Sequence, residues 1–258
     1  MGLGIFESVA SYTRLMMIDP LPGWAPPREP RRLLVAGATG RFGEALLNEA
    51  IARRSLLGFD EVVVLSESDA SMSLGISGLA MASMTSLPRI QAVIVSLSED
   101  HHEGARSFHG RDAPFVLVDP LRAHSVAAAA VQAGAQRLLL VHPLPVWQQL
   151  SGLHQGLVGE VELQLSRLSC HSVLMMRPLA QSRTTGGHWL QRIAQVYLSL
   201  QMLMMPRSMP QLTSPQLARA VVGQLAQPAS PGLTAMGAAD IQAWLTGEAR
   251  PPKTQSRF

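Results

Sequence analysis

Arg32-Leu-Leu-Val-Ala-Gly-Ala-Thr-Gly-Arg-Phe-Gly-Glu-Ala-Leu-Leu, ending at Leu47, is the stretch on which the fold turns. Leu33 to Ala36 is an apolar run of the length of one buried strand. Gly37, Gly40 and Gly43 follow at the spacing G-x-x-G-x-x-G, and Ala45, Leu46, Leu47, Ala50 and Ile51 then recur at helical spacing. Strand, glycine turn and helix in this order are the setting that a dinucleotide-binding fingerprint requires. The first glycine permits a tight turn, the second lets the backbone approach a pyrophosphate, and the third lets helix and strand pack closely. Phosphates would sit on the unpaired N–H groups at the helix N-terminus, where the dipole favours negative charge. The candidate cofactor contacts here are Gly37, Thr39, Gly40, Arg41, Phe42 and Gly43. The competing reading is a turn that keeps this shape without a ligand.

Working outward, 258 residues suffice for one α/β domain or two small ones, and 47% hydrophobic against 15% charged residues makes a sizeable core easy to build. The net charge is +3 and the basic residues stand singly, so no phosphate-tracking stripe exists and nucleic acid is not an expected partner. One cysteine, Cys170, excludes an intramolecular disulfide and a cysteine-based zinc cluster. It fits a reducing compartment, and a cytoplasmic location is expected. His101-His102-Glu103 with His109 matches no standard metal spacing, so no metal is expected.

Ile5, Phe6, Val9, Tyr12, Leu15 and Met16 place a helix in residues 1–19, read as a surface helix or a docking helix. It lacks the basic start and long apolar run of a signal peptide. Prolines 20, 22, 26, 27 and 30 make residues 20–30 an extended linker. The domain proper is expected over residues 31–247. Strands are expected at Glu61–Ser68, near Met81–Met84, and at Ile90–Leu97, Arg137–Val141 and Ser172–Met176. Helices are expected at Ala123–Ala133, where Asp119 would cap, and at 156–168 and 189–205. A last helix is expected at Pro215–Leu225, and a frayed polar tail at 248–258. The 189–205 segment is too short to span a bilayer and reads as a buried or dimer-packed helix. Strands alternating with helices imply a doubly wound parallel sheet of Rossmann type, with a small C-terminal lobe.

These residues together resemble the atypical short-chain dehydrogenases/reductases, and within them the oxidoreductase family of the Tat-interacting tumour-suppressor protein. The resemblance runs from about Arg31 to Gly247. It is carried by Gly37-Ala-Thr-Gly-Arg-Phe-Gly, Phe115-Val-Leu-Val-Asp119, Ala128-Ala-Ala-Val-Gln-Ala-Gly134, Gly159-Glu-Val-Glu162 and Met176-Arg-Pro178. It implies a Rossmann fold, a bound nicotinamide dinucleotide and a C-terminal substrate lobe. It also implies cofactor contacts at Arg177-Pro178 on the nicotinamide side.

The chemistry departs from the family. Its members use a tyrosine with a lysine four residues later. Lys253 is the only lysine here, and Tyr12 and Tyr197 are followed at that distance by Met16 and Gln201, so Y-x-x-x-K occurs nowhere. Aligned on Gly159-Glu-Val-Glu, the family's tyrosine position falls on His154, its lysine on Val158, and its serine near His142-Pro143. Three readings stay open. The chain binds a dinucleotide without dehydrogenase chemistry. Alternatively His154, with His142, moves the proton in place of tyrosine. Or the domain is a platform on which residues 1–19 or 189–205 bind a protein partner or a second copy.

The residue ending the second strand of such a fold meets the adenosine ribose. Glu67 stands there, and a carboxylate repels a 2′-phosphate, which favours NAD(H) over NADP(H). Arg41, inside the glycine turn, argues the other way. Ser96 and Leu97 end a strand at the ligand-binding edge and are candidates for the adenosine half.

Overall fold

The computed structural model describes residues 28–67, 75–97, 107–108, 111–112, 115–145, 157, 159–180, 212–248 and 254–255. The main sheet is built from β1 (Arg32–Ala36), β2 (Glu61–Leu65), β3 (Leu79–Ala82), β4 (Ala92–Ser96), β7 (Arg137–Val141), β8 (Ser172–Arg177), β9 (Gly232–Gly237) and β10 (Thr254–Gln255). Two-residue strands β5 (Ser107–Phe108) and β6 (Arg111–Asp112) pair separately. The helices are α1 (Gly40–Arg53), α2 (Pro120–Gln132), α3 (Gly159–Ser166), α4 (Ser214–Gln224) and α5 (Ala238–Thr246).

The strand order is β3-β2-β1-β4-β7-β8-β9-β10, parallel throughout except for β10. This is the doubly wound Rossmann arrangement. The chain winds from β1 outward to β3, then crosses back to β4 on the other side of β1. Alternate residues explain why both faces are covered. Leu33, Val35, Val62, Val64 and Ile94 meet α1, α4 and α5, while Leu34, Ala36, Val63, Val93 and Val95 meet α2 and α3. Strands buried on both sides read as unbroken apolar runs, which is how they appear in the sequence. The reversal between β1 and β4 is the topological switch point of the sheet, and ligands of such sheets bind at its carboxyl edge.

Several boundaries differ from the sequence expectation for local reasons. Helix α2 begins at Pro120 rather than Ala123, because the Asp119 carboxylate accepts from the Arg122 N–H at 2.8 Å and Pro120 opens the first turn. Strand β3 ends at Ala82, where the Ser83 hydroxyl bonds those of Thr85 at 2.8 Å and Ser86 at 2.9 Å and turns the chain. Strand β4 starts at Ala92, since the Ile90 N–H is tied to the Ala133 carbonyl. Strand β2 stops at Leu65, after which Ser66 forms a bridge with Phe115. Helix α3 is shorter than 156–168, starting at Gly159 with φ 79. Helix α4 is not the last: β9 and α5 follow it and extend the same sheet and core. Within the expected tail, Thr254 and Gln255 pair antiparallel with Thr234 and Leu233. Residues 1–19 and 189–205 lie outside the described residues. Among the described residues no helix is long and apolar enough to cross a membrane.

Arg137, at the amino end of β7, closes α4. Its Nη2 donates to the Gln224 carbonyl at 2.6 Å, and its Nη1 to those of Leu225 at 3.0 Å and Gln227 at 2.8 Å. These carbonyls lie at and just past the helix end, where no i+4 donor of the helix reaches them and Gln224 is met by the Gln227 N–H in a 3.1 Å turn bond, and the cation sits at the negative pole of the helix. Burial holds this guanidinium below its ordinary pKa. Arg137→Met is expected to cost about 1–2 kcal/mol through the lost cap. For a domain of this size that lowers the melting temperature by roughly 2–8 °C. A thermal melt superimposed on wild type would contradict the capping role.

Candidate functional site

The glycine turn leaves β1 at Ala36, and its three glycines are required for three different reasons. Gly37 has φ +79, and a Cβ built on it runs into the Ser96 carbonyl oxygen of β4. Gly43 is buried on the turn beneath it. A Cβ there overlaps the Ala38 carbonyl carbon and lies 2.8 Å from the Ala38 Cα. Both glycines therefore serve the packing of the chain against itself. Gly40, at φ +66, is different: a Cβ there meets nothing within 4 Å. Its missing side chain leaves open space at the mouth of α1.

The start of this helix is polar and under-satisfied. Thr39 is the N-cap of α1, and the first helical bond runs from the Gly43 N–H to the Thr39 carbonyl at 3.1 Å. The N–H groups of Gly40, Arg41 and Phe42 precede that bond and have no helical acceptor. No acidic residue stands in the first turn to balance the positive end of the helix. The Thr39 Oγ1 makes no cap and, though buried, has no hydrogen-bond partner among the described residues. A buried polar atom in that condition costs about 1–3 kcal/mol and calls for an explanation. Arg41 is exposed, while Phe42 is half-buried against the core.

The remaining candidates distribute along the same edge. Glu67 is exposed just past the end of β2. Ser96 and Leu97 are buried; Ser96 lends its carbonyl to the Gly37 contact, and Leu97 packs into the core while its N–H donates to the Val141 carbonyl at 3.0 Å.

At the ends of β7 and β8 the structure gathers a group that sequence reading did not assemble. Arg177 and Glu162, of α3, are 1% and 0% exposed. The guanidinium donates from Nε to Glu162 Oε1 at 2.9 Å and from Nη2 to Oε2 at 2.5 Å. His142 follows β7, and its Nδ1 lies 3.2 Å from the same Oε1. Backbone bonds from His142 N–H to the Met176 carbonyl and from Leu144 N–H to the Pro178 carbonyl, both 2.9 Å, hold these two loop starts side by side. Arg177 is thus committed to an internal ion pair, and Pro178 to a backbone bridge. Glu162 was the residue missed. Its one signal was position: it shares the buried face of α3 with Leu165, three residues on, where an apolar side chain is the rule. His154 and Val158 lie outside the described residues.

No family model matches the chain, and no curated protein matches it. Among solved structures, the chain is similar to a dTDP-glucose 4,6-dehydratase, DesIV, from Streptomyces venezuelae with NAD bound. The identity is 12%, the TM-score 0.44, and the match covers 80% of this chain and 75% of that one. It is similar to the Bordetella bronchiseptica enzyme WbmG in complex with NAD, at 15% identity and TM-score 0.41, over 86% of this chain and 78% of that one. It is also similar to a wide-type short-chain dehydrogenase/reductase from Veillonella parvula in complex with NADP, at 11% identity and TM-score 0.42, over 81% and 94% of the two chains. The strand order and register, not these likenesses, carry the fold, and function does not travel with a fold.

The three glycines should separate under substitution. Gly37→Ala and Gly43→Ala force backbone apart and are expected to destabilise by about 3 kcal/mol or more. Gly40→Ala carries only the left-handed strain, about 1 kcal/mol. Equal shifts of the denaturant midpoint in all three would contradict this division.

Proposed function

We propose that this chain binds a nicotinamide dinucleotide along the carboxyl edge of its sheet. In this reading it is related to the atypical short-chain dehydrogenases/reductases, and to the family of the Tat-interacting protein, but lacks their tyrosine–lysine chemistry. The observation that supports it best is the conjunction at α1. A Cβ at Gly40 meets nothing within 4 Å, the N–H groups of Gly40, Arg41 and Phe42 have no helical acceptor, and the buried Thr39 hydroxyl has no partner among the described residues. A pyrophosphate fits that donor set, which offers backbone N–H groups, a hydroxyl and the positive end of a 14-residue helix.

Residues further along the edge fit the rest of such a ligand. Glu67, exposed beyond β2, can accept from the two ribose hydroxyls of NAD and would repel the 2′-phosphate of NADP. Arg41, exposed in the turn, is the cation that would oppose this preference. A bound nicotinamide supplies hydride chemistry. The acid/base pair that members of the resembled family use with it is missing, because the sequence contains no Y-x-x-x-K.

Calorimetric titration with NADH and NADPH tests the reading. Wild type is expected to bind NADH, and Gly40→Val, which fills the open space, to bind at least about tenfold more weakly, a loss of 1.4 kcal/mol or more. Absence of binding to either nucleotide overturns the proposal. Glu67→Arg is expected to raise NADPH affinity relative to NADH by roughly tenfold. An unchanged ratio would show that Glu67 does not meet the ribose.

A further inference from the structure

We infer that the buried Arg177–Glu162 pair fixes His142 as a proton acceptor, with its Nε2 presented at the carboxyl edge to a hydroxyl group of a small-molecule ligand. The inference goes beyond the dinucleotide reading and does not depend on it.

The steps are chemical. A guanidinium is a permanent cation, and Arg177 meets both oxygens of Glu162 in a forked contact. A carboxylate held in this way is ionised and can only accept. The 3.2 Å contact between Glu162 Oε1 and His142 Nδ1 is therefore a hydrogen bond in which Nδ1 donates. A neutral imidazole carries one ring proton, so Nε2 holds the lone pair. The same arrangement fixes the tautomer of histidines that ligate metals.

Geometry supplies the direction. Glu162 is fully buried, whereas the His142 side chain keeps 19% of its surface exposed. With Nδ1 turned to a buried carboxylate, that exposure is assigned to the far side of the ring, which carries Nε2. His142 itself stands at the end of β7, on the edge of the sheet that also carries the glycine turn. Glu162 acts through His142 and is a positioning residue. His142 is the group that meets the ligand, accepting its O–H.

The full-length protein, labelled with ¹⁵N-histidine and held at mildly alkaline pH, decides the question. The resonances lost in His142→Gln identify His142 in a long-range ¹H–¹⁵N correlation spectrum. The expected result is a protonated Nδ1 and an unprotonated Nε2. A protonated Nε2 in wild type overturns the inference. Glu162→Gln, whose amide can donate or accept, is expected to lose the single tautomer, and a spectrum with the Nδ1 tautomer unchanged overturns Glu162 as its cause. Should that variant fail to fold, the wild-type spectrum still decides the tautomer.

Access is read separately with diethyl pyrocarbonate, which acylates unprotonated imidazole. His142 is expected to be modified alongside the exposed His171, as measured by peptide mass. Loss of modification at His142 alone overturns its presentation to ligand. Neither readout requires NADH, so failure of dinucleotide binding and failure of this inference are distinguishable.

Discussion

Each of β1, β2, β4, β7 and β8 buries side chains on both of its faces, and the rest of the molecule follows from that demand. Leu34 cannot leave water unless a helix covers its face, and Leu33 needs a different helix on the other. Parallel pairing forbids a hairpin, so each covering helix doubles as the connection between strands. The arrangement sends the carboxyl end of every parallel strand to one edge. Gly37, Glu67, Ser96, His142 and Arg177 share that edge because each stands at or just beyond the end of its strand.

Two buried or half-buried arginines show how differently one residue type can be used. Arg137 faces neutral carbonyls at a helix end, an arrangement of dipole and hydrogen bonds at the opposite edge from the candidate site. Arg177 faces a carboxylate in the dry interior. A buried ion pair of the second kind is weak evidence for stability, because desolvation consumes much of the Coulomb gain. Removing one partner is another matter, costing about 3–5 kcal/mol through the charge left behind. The pair is thus poorly explained as a stabiliser and better explained by what it holds in place. It ties α3 to β8 and sets the partner of the histidine that follows β7.

Local pattern made the first βαβ unit legible. Leu33 to Ala36 and Glu61 to Leu65 are apolar runs, and three glycines punctuate the interval at a diagnostic spacing. Strand β9 was not legible, because Gly232-Leu-Thr-Ala-Met-Gly offers small residues and only alternate burial beside β8. The trio of His142, Glu162 and Arg177 was not legible either. Its members stand 20 and 15 residues apart, and the register of β7 against β8 together with the packing of the buried face of α3 brings them together. Gly37 was recognised for its turn, but its second reason, the Ser96 carbonyl pressed against it, belongs to a strand about sixty residues on and needs the crossover to be seen.

That contact has a kinetic meaning. Gly37 is wedged against the backbone of β4, and Gly43 is seated on Ala38, so the loop between them is clamped from two sides by main chain. Its donors are arranged when the sheet forms, before any anion arrives. Under the proposed reading, a pyrophosphate arriving at α1 would meet donors already placed, and encounter would be a single bimolecular step with no ordering of the loop to follow. Association at such a site is governed by diffusion and charge, and the lifetime of the complex, rather than the speed of its formation, is where sequence variation around the turn would register.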